Sequence, residues 1–261
     1  MNALYNPDEK KRLLAIWSKE GGLSGNALKF FACLFMFFDH MAQGGVLRDS
    51  LGIEVGGLLP FQYYDSPGLL AGNLMVLFGR IAFPIFCFFL VQGLFLTRDY
   101  KKQLIRLFLF GVLSEIPFDL VANGGLEWGH QNVYFTLVAG AALVVLLERI
   151  RHTDWKRLPK IVASTAVFLA IAALSAVCGF DYGAFGIGAI LLYYLAREDR
   201  FRTLSATLFG FWFEAPLFGT VYLSLPFLWL YNGKRGRGHK YAFYAFYPLH
   251  LLFLYLLSLI F

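Results

Sequence analysis

The chain has 261 residues, of which 58% are hydrophobic and 18% aromatic, while only 15% are charged and the formal net charge is +6. Ordinary soluble domains run about 25% charged and 45–50% apolar, so a water-soluble globule of this composition would lack the polar surface to cover itself. Disorder, a disulfide scaffold and a collagen-like chain are excluded by the same counts, which leaves an all-α, polytopic helical bundle integral to a membrane.

In chain order, residues 1–26 carry mixed charge with no small-residue cleavage site, and are expected to form a cytoplasmic N-terminal segment whose following apolar run stays as an anchor. Runs near the 17–25 residues that span a hydrocarbon layer of about 30 Å predict helices over 27–47, 74–97, 103–121, 132–149, 161–178, 182–196, 203–214, 216–231 and 241–261. That is about nine transmembrane helices, with a range of 8–10, in a single domain over 27–261. One connection is long. Residues 48–73 are rich in Gly, Pro and Tyr, and are read as an outer lid or a re-entrant segment, with a plain tether as the alternative. Cys33, Cys87 and Cys178 lie in apolar stretches without ligand spacing, so they are read as packing residues and no metal is expected.

The charges test this partition. Apart from Arg48 and Arg80, every Lys and Arg falls in alternate connections or at the span ends that adjoin them. The positive-inside rule makes that side cytoplasmic, with the N-terminus inside and the C-terminus outside. The intervening connections carry Asp49, Glu54, Asp65, Glu127, Asp181 and Glu214. Topology and anionic lipid headgroups thus account for the basic balance, and no nucleic acid is required as a partner.

Ionisable groups within the membrane are functional candidates by default, because each is unfavourable there unless paired or wetted. On the first span Lys29 sits at the inner rim and His40, eleven residues on, lies about 16 Å deeper. A histidine there suits proton abstraction from a hydroxyl or amine, or ties helices together by hydrogen bonds. Asp39 points about 100° away from it, toward a basic group on a neighbouring span. Arg80 on the second span must find an acid or an anion, with Asp39, Glu115 and Asp119 as candidates, and Pro84 should kink the helix beside it. Glu115 and Asp119, four apart, share a helix face around Pro117, and Asn132 and Thr136 return to the same depth. On the last span His250 lies about 14 Å deep, one turn after Tyr247, lining the same cavity or satisfied within the core.

At these residues the sequence resembles the TraX family, membrane proteins related to pilin N-acetylation, within the wider superfamily of transmembrane acyltransferases. The matching stretches are Leu28-Lys29 through Met36 to Asp39-His40, Gly79-Arg80-Ile81-Ala82-Phe83-Pro84, Gln92-Gly93, Thr97-Arg98, Tyr100, Arg106-Leu107, Ser114-Glu115-Ile116-Pro117-Phe118-Asp119, Asn132 through Thr136, and Tyr182-Gly183. They cover most of residues 28–195. The superfamily's basic residue, ten positions, then histidine fits Lys29 and His40, and Tyr247-Pro248-Leu249-His250 is similar to its late Tyr-x-x-His element.

The resemblance implies transfer of an acyl group, with acetyl the first candidate, from cytoplasmic acyl-CoA to an amine or hydroxyl facing the outer side of a bacterial cytoplasmic membrane. The acceptor is a pilin, a polysaccharide or another envelope molecule. On this reading His40, Asp39, Arg80 and Glu115 are the catalytic candidates, with His40 a general base or a transient acyl carrier. Lys29, Arg98, Arg106, Lys234 and Arg235 would attract the phosphates of acyl-CoA. Asp119, Asn132, Thr136, Tyr247 and His250 would line the acceptor pocket. A proton-coupled transporter or flippase using the same polar cluster is the alternative, and a non-enzymatic membrane scaffold the third.

Overall fold

The computed structural model describes residues 6–45, 51–56, 66–215, 219–238 and 240–260. Their ordered structure is helical apart from two isolated backbone bridges, Leu23 with Tyr231 and Gln131 with Phe180. The helices are α1 (Pro7–Trp17), α2 (Gly25–Gln43), α3 (Pro67–Gly79), α4 (Ala82–Leu96), α5 (Tyr100–Ala122), α6 (Val133–Arg151), α7 (Arg157–Val177), α8 (Gly183–Ala196), α9 (Arg200–Gly210), α10 (Ser224–Leu230) and α11 (Lys240–Ser258), with two short 3₁₀ turns at Trp212–Glu214 and Thr220–Leu223.

Local chemistry sets these starts. Asn6 accepts from the N–H groups of Asp8 and Glu9 at the head of α1, with Pro7 in the first turn. Ser24 caps α2 and Ser66 caps α3 in the same way. The Ser66-Pro67 start moves the second predicted span back from residue 74 to 67, where Gly68 and Gly72 had read as loop. Asp99 opens α5 by accepting from the Lys102 N–H at 3.1 Å. That bond, more than the Lys102 ammonium, holds the exposed Asp99 carboxyl below its usual value.

The predicted kink near Pro84 is found as a break at Arg80-Ile81, between α3 and α4. Pro84 has no N–H to give the carbonyl of Arg80, four residues back, and its ring crowds that carbonyl. Of the segment 48–73, residues 48–50 and 57–65 lie outside the described residues, and so does the lid or re-entrant reading placed on them. Within the described part the buried Asn73 clamps Gly56, donating to its carbonyl at 2.6 Å and accepting from its N–H at 3.1 Å.

Among the described residues four helical stretches are long and apolar enough to cross a membrane: Pro67–Leu96, Val133–Arg151, Arg157–Val177 and Tyr241–Ser258. Only 11% of the apolar window of Arg157–Val177 is buried, so much of the apolar surface of that helix is turned outward. On α5 the exposed residues Ile105, Phe108, Leu109, Val112, Leu113 and Ile116 form one stripe at helical spacing. Such surfaces suit lipid and not water, and they mark the chain as a membrane protein. α2 and α5 have the length, 19 and 23 residues, but carry Lys29, Asp39 and His40, and Arg106, Glu115 and Asp119. Gly183–Ala196 and Thr220–Leu230 are apolar but shorter.

The chain gathers into two compact units. The first comprises Met1–Ser18, Cys87–Gly111 and Trp128–Gly210. In it α6, α7 and α8 pack on one another and α9 packs on α8. Trp17 sets α1 edge-on to Phe88, ring centroids 5.0 Å apart, and Arg197 joins Glu148 of α6 at 2.8 Å and Glu9 of α1 at 3.4 Å. The amphipathic α1 is thus pinned to its unit by both core and charge.

The second unit comprises Lys19–Phe86, Val112–Glu127 and Phe211–Phe261. In it α2 lies between α3 and α11. Gly79 lets α3 come against α2, because a Cβ at that position would collide with the Cβ and carboxylate of Asp39. Gly79→Ala is therefore expected to destabilise the protein by about 1–3 kcal/mol through overpacking, read as a lowered thermal midpoint in detergent. An unchanged midpoint would show that the Asp39 side chain yields freely.

Candidate functional site

The second unit holds most of the residues singled out from the sequence. α2 brings Asp39 and His40 to its C-terminal turns, α11 brings Tyr247 and His250, and the break between α3 and α4 presents Arg80. His40 Nδ1 lies 2.7 Å from His250 Nε2, and His250 Nδ1 lies 2.8 Å from the carbonyl oxygen of Phe246. The two imidazole centroids are 5.0 Å apart with an 18° tilt. With the nitrogens in hydrogen-bond contact, that separation means rings lying nearly in one plane and joined edge to edge. Phe246 stacks on the outer side of His250 at 4.6 Å, Tyr247 stands edge-on to His40 at 5.7 Å, and Phe37 closes the near side at 6.2 Å from His250. His250 is buried and His40 half-buried.

Beside it Arg80 reaches Asp39 at 3.4 Å and Glu214 at 3.8 Å. Asp39 was among the acids expected for it. Glu214, which the sequence places in an outer connection, is instead buried in the 3₁₀ turn Trp212–Glu214. A carboxylate set in Phe211-Trp212-Phe213-Glu214-Ala215, within an apolar run, was the available signal. Asp119 accepts from the Glu127 N–H at 3.1 Å and so holds the turn that follows α5. Glu115, one turn before it on the same helix, is half-buried.

At the other end of α2 the basic loop is built onto the helix. The N–H groups of Gly25 and Asn26 donate to the carbonyls of Lys234 and Arg235 at 2.8 and 2.9 Å. The Asn26 amide donates to the carbonyls of Gly236 and Arg237. Lys234, Arg235 and Arg237 are exposed, one helical turn from the half-buried Lys29, whose ammonium lies 5.8 Å from the Phe243 ring. A row of cations at the head of α2 and an imidazole pair near its tail are therefore built into one unit.

Four further candidates lie in the first unit. Asn132 caps α6 by accepting from the Tyr134 N–H at 3.0 Å and donates to the Gly111 carbonyl at 2.9 Å. Thr136 donates to the carbonyl of Asp181. Both are buried where α6 begins, beside the bridge of Gln131 with Phe180 and the left-handed Tyr182. Arg98 is exposed and Arg106 half-buried toward the start of α5. Among the described residues no cluster of three His, Cys, Asp or Glu side chains forms a metal site.

Comparison with known proteins places the chain in a family. The probable fimbrial assembly protein FimC, serogroup H1, of Dichelobacter nodosus is 32% identical over 204 residues, covering 67% of this chain and 79% of that protein. No solved structure matches. The family model described as TraX protein matches residues 24–258, a range that takes in α2 with Lys29 and His40, the Arg80 break and His250 on α11, and the chain therefore belongs to the TraX family.

Proposed function

We propose that this protein is a membrane acetyltransferase that moves the acetyl group of acetyl-CoA, or another short acyl group, to an amine or hydroxyl of an envelope molecule. In this reading residues 27–261 form one transmembrane domain of about nine helices, with the N-terminus in the cytoplasm, the C-terminus outside and the shorter helices completing the crossings of a bacterial cytoplasmic membrane. The observation that carries the reading is the half-buried His40, held through Nδ1 with its Nε2 not part of that bond, on the same helix as Lys29 and the basic loop. TraX membership and the likeness to a fimbrial assembly protein favour a pilin-type acceptor.

The chemistry needs one base and one charged rim. Lys29, Lys234 and Arg235 attract the phosphates of acyl-CoA. The acceptor N–H or O–H gives its proton to His40 Nε2 as its lone pair attacks the thioester carbon. Collapse of the tetrahedral intermediate breaks the carbon–sulfur bond, and the departing thiolate takes the proton back from His40. Arg80, poised by Asp39 and Glu214, is assigned to the developing oxyanion. Asp119 and Tyr247, in the same unit as His40, shape the acceptor side.

Lys29→Ala is expected to raise the KM for acetyl-CoA about tenfold with kcat nearly unchanged, the size of one charge-assisted contact at a wetted rim. Thiol release from acetyl-CoA by purified protein in lipid nanodiscs measures both. An unchanged KM with a well-folded variant would remove Lys29 from the donor site.

A further inference from the structure

The imidazole pair carries more than a base. A carbonyl oxygen only accepts, so the 2.8 Å contact from His250 Nδ1 to Phe246 requires the proton on that nitrogen. A neutral imidazole has a single N–H, which leaves His250 Nε2 as an acceptor. The 2.7 Å contact to His40 then requires His40 Nδ1 to donate. With both rings neutral the chain of bonds therefore runs one way, from His40 through His250 to the backbone of α11, and leaves the lone pair of His40 on Nε2.

From this chain of bonds we infer that His250 is a positioning residue, which holds His40 in its Nδ1–H tautomer and turns its Nε2 toward the reacting groups. The inference rests on the transfer chemistry proposed above. His250 is suited to the task because it is itself fixed: it is buried, its ring stacks on Phe246 at 4.6 Å, and Phe37 stands against it. When His40 Nε2 takes a proton, the ring becomes a cation whose Nδ1–H already points at a neutral acceptor, and the bond between the rings strengthens as the charge develops. No proton needs to leave His250, and the pair returns to its starting state when the thiolate is protonated. A base oriented through its second nitrogen by a neighbouring acceptor is a recurrent catalytic device. Here the orienting group is a second imidazole anchored to a helix carbonyl, 210 residues along the chain.

The test uses the full chain in lipid, with ¹⁵N-labelled histidine and nuclear magnetic resonance of the ring nitrogens, the His40 signals assigned by their absence in His40→Ala. In the wild type, His40 should carry its proton on Nδ1 and show a bare Nε2. In His250→Ala that preference should be lost, and thiol release from acetyl-CoA should fall about 10²-fold in kcat with the KM for acetyl-CoA unchanged. His250→Gln offers a carbonyl oxygen to the same N–H and should recover part of the rate. A wild-type His40 protonated on Nε2, or a His250→Ala protein with full kcat, overturns the assignment. Wild-type protein that releases no thiol above the His40→Ala background defeats the transfer reading instead, and the resonance spectrum still decides whether His250 sets the tautomer.

Discussion

His40→Ala is expected to lower acetyl transfer at least about 10²-fold while leaving the protein monodisperse and thermally stable. The loss follows from the general-base role proposed for it, since removing such a base typically forfeits 10²–10⁴ in rate. Its location explains why folding should survive. His40 is half-buried near the end of α2, and its side chain is held there by the bond to His250. Truncating it frees the His250 Nε2 while the anchor of that ring to Phe246 remains. Thiol release in the mutant, normalised to folded protein, is the measurement. A mutant with more than a tenth of wild-type turnover would mean that another group takes the proton.

Arg197→Ala is expected to be the most damaging single change to stability, costing about 3 kcal/mol, at the lower end of what breaking a buried ion pair costs. Arg197 and Glu148 have side chains only 5% and 2% exposed. Arg197 bonds Glu148 and the Tyr194 carbonyl, both at 2.8 Å, and its guanidinium lies 4.5 Å from the centroids of both Phe95 and Tyr194. Alanine removes the pair and the ring contacts together. Glu148 keeps Arg151 at 3.3 Å and His152 at 3.4 Å, which places the effect at the lower end of the range. Glu9 and Glu198, also within reach of Arg197, would then face Glu148 with less positive charge between them. A thermal midpoint measured in detergent should fall by several degrees, and pairing the change with Glu148→Gln should restore part of the loss. Unaltered midpoints in the single mutant would show that the pair contributes nothing net.

How far these residues were legible in the sequence depended on whether their signal was local. Helix content, the basic alternation of the connections and the need of Arg80 for an acid all follow from short windows, since length, hydropathy and charge act within one span. Asp39 was found as its partner because a single helical step of 100° already turns it away from His40. Glu214 escaped because its burial comes from a 3₁₀ turn after α9, a break in the apolar run that reads as a connection. The His40–His250 bond and the Glu148–Arg197 pair escaped for a different reason. Each joins residues far apart in the chain, and pairing of that kind is decided by how helices pack and not by any pattern along them. Arg197 in particular looked like one more cation of the inner rim, yet only the fold shows it buried between two aromatic rings.

Acyl transfer is decided by thiol release and label transfer by the purified full chain in lipid nanodiscs, supplied with radiolabelled acetyl-CoA and pilin subunits as acceptor. A transferase should show saturable release of CoA thiol by the wild type, with label passing to the subunits, and loss of both in His40→Ala. Absence of thiol release from the folded wild-type protein, together with proton-coupled uptake of a solute in proteoliposomes, would contradict acyl transfer and assign the Asp39–Arg80–Glu214 cluster and the imidazole pair to transport.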